Sequence, residues 1–143
     1  MELVNYMIPR INMIDAADTL FYLDKGGRIF EAKSWAEAES VTSFRAIVEI
    51  DAFTGGVTKP LARAKTKTQI MEKLVDIAKE RAKDKKLHIA MLHNKAPDQA
   101  EQLKKILLSQ FQCDKLYVGE GSATTAVFRG PGLISFAFYS SEE

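Results

Sequence analysis

The clearest pattern of apolar and polar positions lies between residues 67 and 83. Apolar side chains recur there every three or four residues, and charged side chains fill most of the positions between them. This spacing places the apolar side chains on one face of an amphipathic helix. That face comprises Ile70, Met71, Leu74, Val75, Ile77, Ala78 and Ala82. The segment therefore predicts a helix that packs on a core along one side and meets solvent on the other.

A β-α-β unit is predicted for residues 87–119. The nearly all-apolar run 88–92 is too short for a helix but has the length of a buried strand. Pro97 suits the first turn of a helix, and Asp98 complements the positive end of the helix dipole there. A second strand-like run follows at 116–118. Strands joined by such a crossover are parallel, so we expect one parallel pair in the sheet.

A β-hairpin is predicted before the long helix. Residues 44–52 alternate between apolar and charged, Gly55 and Gly56 supply a turn, and a second extended run begins at Val57. Pro60 has no N–H to donate, which favours an edge strand or a bulge. The apolar run 133–139 predicts the last strand.

The first predicted element is a short helix over residues 16–25. Its apolar side chains are close to helical spacing, and Gly26-Gly27 offers the left-handed backbone that ends a helix. Together the elements predict a two-layer α/β fold, in which helices pack on a mixed β-sheet. No internal repeat and no linker rich in Pro, Gly or Ser divides the chain, so we expect a single domain over residues 1–143.

The charge balance argues against a polyanionic partner. Twenty Lys and Arg residues face nineteen Asp and Glu residues, a formal net charge of +1, so nucleic acid is not expected. Cys113 is the single cysteine and cannot close an intrachain disulfide, and the first residues do not resemble a secretory signal. No apolar run approaches the ~20 residues that cross a bilayer. We therefore expect a cytoplasmic protein without membrane insertion.

Few residues could carry chemistry. His88 and His93 have no partner at a spacing typical of metal or catalytic sites, and no base lies near Cys113 in the sequence. The sequence thus predicts no catalytic residue, no metal site and no cofactor. His93 is still a candidate ligand contact, because ligands often bind where strands of α/β sheets end.

A basic stripe precedes the long helix. Arg63, Lys65 and Lys67 alternate along an extended segment, which places them on one side of it. Such a stripe is typical of a solvated edge that discourages strand pairing. A surface that docks a partner is the alternative, and both interpretations remain open.

One segment has a recognisable sequence. Residues 18–29 read DTLFYLDKGGRI, which resembles the DegV-family run TLxYLxxGGRI. The later segments keep that family's order, from the hairpin through the β-α-β unit to a GPG turn at 130–132 and an apolar strand. The resemblance covers residues 17–139 and is to the C-terminal domain of DegV proteins. We expect no counterpart of the family's N-terminal domain in this chain.

The resemblance implies a function without chemistry. DegV proteins hold a long-chain fatty acid between their two domains, with the acyl tail against the C-terminal domain, and present it to a separate kinase. Arg28, Arg63 and Lys65 match positions implicated in docking that kinase. The apolar wall would come from strands 44–50 and 133–139. Apolar surface suits an acyl chain, because burying each methylene contributes about 0.8 kcal/mol.

The loop at 126–132 departs from the family's GTHTGPG-like sequence. Phe128 stands where the resemblance places a carboxylate-binding histidine. The neighbouring Arg129 could anchor the head group instead, because a guanidinium is permanently charged and binds carboxylates well. Gly130 begins the GPG turn, which the resemblance places beside the carboxylate.

Three hypotheses follow. The first is a non-enzymatic lipid-binding module, either free-standing or a separated half of a two-domain carrier. The second is an interaction or dimerisation module that keeps the fold but has lost its ligand, and the third is an enzyme that uses His93. The first two predict an exposed apolar sheet face, which a homodimer or a partner domain would cover.

Overall fold

A six-stranded mixed sheet forms the centre of the fold. The structure is a computed structural model and describes residues 1–141. Its strands are β1 (Asn12–Ala17), β2 (Arg45–Glu49), β3 (Lys59–Ala64), β4 (Leu87–His93), β5 (Cys113–Glu120) and β6 (Ile134–Ser140). Its α-helices are α1 (Glu2–Met7), α2 (Phe21–Lys25), α3 (Lys33–Glu39), α4 (Lys67–Ala82), α5 (Pro97–Gln110) and α6 (Ala123–Arg129). Two 3₁₀ turns lie at Ile8–Arg10 and Phe30–Ala32.

The order of the strands is β3-β2-β1-β6-β4-β5. β4 and β5 are parallel, whereas the other neighbouring pairs are antiparallel. The predicted mixed sheet and its parallel β-α-β unit are therefore confirmed. β3 lies at one edge, and its pairing with β2 is irregular beside Pro60, as the missing N–H of that proline requires.

One face of the sheet is covered by α4 and α5. Their apolar stripes pack on alternate residues of the central strands and form the larger core. Residues buried in that core include Ile14, Ile47, Leu74, Leu87, Met91, Leu103, Leu107, Phe136 and Phe138. The start of α4 is fixed by a capping box, in which Thr66 accepts from the Gln69 N–H and the Gln69 side chain accepts from the Thr66 N–H.

The opposite face is covered over only part of its width. α2, α3 and the turn between them pack on β1 and β2, where Leu20, Leu23, Ile29, Ala32, Phe44, Ala46 and Val48 form a smaller core. Trp35 of α3 packs at the edge of this core and meets the Phe44 ring edge-on, with centroids 6.3 Å apart. Within residues 1–141, no such layer of helices covers the part of this face formed by β4, β5 and β6, and Ala90, Tyr117 and Leu92 are exposed there.

Helix α1 was not predicted, and two features nearer the candidate site were missed as well. Residues 16 and 17 belong to strand β1 rather than to a helix, and the helix begins only at Phe21. β1 is buried along its last four residues, so it lacks the alternation of a half-exposed strand. The other feature is α6, a seven-residue helix without buried residues, which begins at a Ser122 cap.

Candidate ligand-binding face

The uncovered part of the sheet carries a grid of side chains in three rows, here called the open face. Successive residues of a strand point to opposite faces, so every second residue of each strand belongs to this face. Direct cross-strand partners form one row, and neighbouring rows are two residues, or about 7 Å, apart along the strands. The rows are Lys115, His88 and Tyr139; Tyr117, Ala90, Ala137 and Met13; and Gly119, Leu92, Ser135 and Asp15. The middle of the grid is apolar, and its two ends are polar.

A groove of about 390 Å³ runs along the first two rows. Ala90 and Ala137 are direct neighbours on β4 and β6 and form a low floor, while the larger rings of Tyr117 and Tyr139 rise beside it. Apolar side chains of the N-terminal segment, Leu3, Met7 and Ile11, close one side. The groove has the size and composition of a site for an apolar small molecule.

Within the described residues, the layer between the sheet and the starts of α4 and α5 offers no comparable space. The pocket between the sheet and the starts of α4 and α5, lined by Ala16, Ile70 and Leu103, holds only about 20 Å³. Side chains from the sheet and both helices fill this layer at the close packing of a protein core. A long apolar ligand therefore fits the open face and not the layer between the sheet and these helices.

A buried ion pair lies at the loop end of the open face. The Asp15 carboxylate is 1% exposed, and its Oδ2 accepts a hydrogen bond from Nη1 of Arg129. Asp15 Oδ1 has no hydrogen-bond partner among the residues that the structure describes. The Arg129 side chain is 21% exposed, and burial lowers the pKa of its guanidinium. The Arg129 side chain thus contacts Asp15, which is on the open-face side of β1, and keeps about a fifth of its surface accessible.

Close packing between α2 and the end of α6 positions Arg129. Gly130 follows the helix with φ 80° and ψ 172°, a conformation open essentially only to glycine, and a Cβ on it would collide with the Tyr22 ring. The Phe128 ring packs beside Gly26 and lies 4.1 Å from the Arg28 guanidinium. The structure thus brings together Arg28, Phe128, Arg129 and Gly130.

Comparison with known proteins decides the family. The family model of the DegV family of uncharacterised proteins matches residues 1–141. The chain belongs to the DegV family. A DegV domain-containing protein of Clostridium acetobutylicum is 30% identical over 133 residues, which cover 93% of this chain and 46% of the relative. This chain thus spans about half the length of the curated relatives it matches.

Solved DegV structures share the fold. A DegV family protein from Thermus thermophilus, described for its fatty-acid binding, superposes with a TM-score of 0.86 at 20% identity, over 98% of this chain and 49% of that one. The fatty acid kinase B3 protein of Streptococcus pneumoniae, loaded with linoleic acid, gives a TM-score of 0.84 at 14% identity, over 98% of this chain and 48% of that one. At these identities the likeness establishes the DegV fold of this chain.

His93 lies apart from the other candidates of this DegV chain. It shares the side of β4 that carries Met91, which faces α5, and its Nδ1 accepts a hydrogen bond from the Ala96 N–H. His88 is the histidine that points into the groove. Strand alternation could have separated the two histidines, because their positions differ by five, an odd number.

The basic stripe is divided between different environments. The Arg63 guanidinium lies 5.5 Å from the Trp35 ring and 5.2 Å from the Phe44 ring, beside the smaller core. Lys65 is exposed in the turn before α4, whereas Lys67 is in α4 and lies 3.9 Å from Asp18. Arg63 and Lys65 thus remain at the β3 edge, away from the groove.

The expected apolar wall is only partly where the sequence placed it. Strand 133–139 does supply Ala137 and Tyr139 to the groove. Strand 44–50 does not line it, because Ile47 lies in the larger core while Ala46 and Val48 lie in the smaller one. The sequence did not predict β1, which lies between β2 and β6. The hairpin is therefore one strand further from the groove than expected.

The described residues contain neither a metal-ligand cluster nor a membrane-length helix. No group of three or more His, Cys, Asp or Glu side chains that could hold a metal ion occurs in residues 1–141. Over the same residues, every helix is too short or too polar to cross a bilayer.

Proposed function

We propose that this DegV-family chain binds the acyl chain of a long-chain fatty acid on its open face. The observation that carries the proposal is the groove of about 390 Å³, whose centre is built from apolar and small side chains. Fatty-acid binding by DegV proteins of the same fold supports it.

The energetics suit a groove that a second surface completes. Roughly ten methylenes in full contact would contribute about 8 kcal/mol, whereas association costs on the order of 4–15 kcal/mol. A groove that leaves one side of the acyl chain in water gains only part of this free energy of methylene burial. We therefore expect weak binding by the chain alone, and tighter binding where another surface covers the ligand.

The polar ends of the open face give the ligand a direction. Arg129 stands at the loop end together with Phe128, Gly130 and Arg28, while Lys115 is exposed at the opposite end. Arg129 is partly held in place and keeps donors for a ligand, whereas a free lysine loses more side-chain entropy on binding. The proposal places the head group at Arg129, and His93 takes no part.

The proposed role involves no catalysis. His88 stacks on Tyr139, and Cys113 is a free thiol with a pKa raised by burial, so neither is an activated nucleophile. A free thiol is stable in a reducing compartment, in keeping with a cytoplasmic location. Residues 1–143 would act as one domain, equivalent to half of a two-domain carrier, and its partner domain would lie over the open face.

Arg28, Arg63 and Lys65 are the proposed contacts to a kinase. They are exposed on the side of the molecule that carries α2 and α3. Stacking of Arg28 on Phe128 and of Arg63 near Trp35 limits the freedom of both guanidinium groups, which lowers the entropy cost of docking an acidic partner.

A homodimerisation module is the second candidate. Tyr117 is 63% exposed and Leu92 41% exposed on the open face, and Leu3 is 67% exposed at its margin. Two copies that pair these surfaces would cover them with a symmetric interface. In that case the groove would be filled by the partner chain and not by lipid.

The test is binding of palmitate to delipidated protein, by calorimetry and by native mass spectrometry. Ala90→Trp fills the groove floor at an exposed position, so we expect palmitate affinity to fall at least about tenfold with the fold retained. Ala52→Trp adds the same ring in the exposed β2–β3 turn and should bind palmitate as the wild type does. Equal palmitate affinity in the two variants, or a ligand-free dimer that Ala90→Trp dissociates, would reject the lipid proposal.

A further inference from the structure

Arg129 is not an isolated cation. The hydrogen bond from its Nη1 ends on Asp15, which lies 114 positions earlier in the chain and at the centre of the sheet. Asp15 belongs to the same row of the open face as Leu92 and Ser135. The row therefore ends in a pair with no net charge, where Arg129 alone would provide a positive one.

The pair changes what kind of head group the face prefers. A bare guanidinium in a partly desolvated site attracts an ionised carboxylate much more strongly than an uncharged hydroxyl. The Asp15 carboxylate directly behind the guanidinium opposes that attraction. It repels an ionised ligand from only a few ångströms further away than the guanidinium attracts it. Hydrogen bonds to the remaining guanidinium donors are still available to an uncharged head group. The selectivity for an anion is thus reduced while polar binding is kept.

We propose that Asp15 is a specificity-determining residue that offsets the charge of Arg129 and shifts the open face from ionised fatty acids towards acyl chains with uncharged polar head groups. The inference rests on the proposed function, since it concerns the head group of the same acyl ligand. Fatty alcohols and monoacylglycerols are the matching chemical class. Asp15 does not contact the ligand in this arrangement, because it is 99% buried beneath Arg129 and its neighbours.

The experiment compares palmitate with hexadecanol, which has the same chain length and an uncharged head. Asp15→Asn keeps an oxygen that can accept from Arg129 but removes the negative charge. We expect palmitate to bind about tenfold more tightly to this variant, the factor associated with a hydrogen bond to a charged group. Hexadecanol affinity should stay within about twofold of the wild type. The ratio of the two affinities is the readout, since a purely structural defect would weaken both ligands together.

A double-mutant cycle sharpens the test. Arg129→Gln leaves the Asp15 charge alone and should lower the palmitate-to-hexadecanol ratio, whereas the double variant Asp15→Asn/Arg129→Gln is neutral again and should return close to the wild-type ratio. Asp76→Asn removes an equal charge from the exposed side of α4 and should leave the ratio unchanged. Circular dichroism checks the fold of each variant, because an unpaired buried charge is destabilising.

Each outcome decides one question. Binding of neither ligand to the wild type rejects the proposed function itself. Binding of both ligands with no rise in the ratio for Asp15→Asn, or with a rise of the same size in the double variant, overturns the role of Asp15 and leaves lipid binding intact.

Discussion

The imidazole ring of His88 stacks face to face on the phenol ring of Tyr139, with centroids 4.5 Å apart and planes 6° from parallel. The two residues are direct cross-strand partners on β4 and β6. Asp114 also approaches His88, with its Oδ2 3.6 Å from Nδ1 of the imidazole. This contact fixes the end of the groove that lies opposite Arg129.

Replacement of Tyr139 by alanine should weaken both the fold and the groove. We expect the free energy of unfolding to fall by about 1 kcal/mol from the lost ring pair, in addition to the lost burial. Palmitate affinity should fall about tenfold, as a wall of the groove disappears. Denaturant unfolding and calorimetry measure the two effects. Tyr117→Ala at the exposed edge serves as the control and should cost less stability, so an equal loss in both variants would contradict the role of the stack.

The elements that the sequence predicted well are those with a strong local pattern. The stripe in α4 and the strand-helix-strand order of β4, α5 and β5 are visible within short windows, and the structure confirms them. β1 was missed, and its last two residues were assigned to a helix, because both of its faces are buried there, which removes the polar-apolar alternation. α6 escaped prediction because a seven-residue helix without buried residues has no apolar stripe.

The candidate site likewise contains residues that a local sequence pattern could identify and residues that it could not. Arg129 could be named from its place before the GPG turn, but no local signal pairs it with Asp15, 114 positions away. The roles of His88 and Ala90 depend on which strands flank β4 and which face the helices cover. Such facts come from the topology of the sheet and not from spacing along one strand.

Gly130→Ala should be strongly destabilising. Its backbone lies in a region that costs other residues about 1–3 kcal/mol, and the added methyl group would meet the Tyr22 ring. Gly55→Ala is the matched control, since Gly55 also has a positive φ of 66° but no atom within 4 Å of an added Cβ. Thermal unfolding should show a larger loss for Gly130→Ala. Equal losses would mean that backbone conformation alone matters and that the contact with Tyr22 does not.

The capping box of α4 makes a separate prediction. Thr66→Ala removes the acceptor for the Gln69 N–H and should lower the free energy of unfolding by about 1 kcal/mol. Thr68→Ala changes a neighbouring exposed threonine in the first turn of the same helix and should be close to neutral. Urea denaturation of the two variants measures the difference. A loss for Thr68→Ala as large as that for Thr66→Ala would contradict the role of the cap, because alanine has the higher helix propensity and should not itself destabilise the first turn.

The ionisation of Cys113 should make both its alkylation and the stability of the protein depend on pH. Burial at the start of β5 raises the pKa of its thiol, so the folded protein holds the proton to higher pH than the unfolded chain does. Alkylation by iodoacetamide should accordingly show its midpoint at higher pH in native protein than in urea, where a thiol has a pKa of about 8.5. The raised pKa also determines how stability changes with pH. The contribution of the protonated thiol to the free energy of unfolding is complete below the pKa of the unfolded chain and is lost as pH rises through the pKa of the folded protein. Relative to Cys113→Ala, the wild type should therefore lose stability above about pH 8.5, and identical pH profiles of the two proteins would contradict the burial of the thiol.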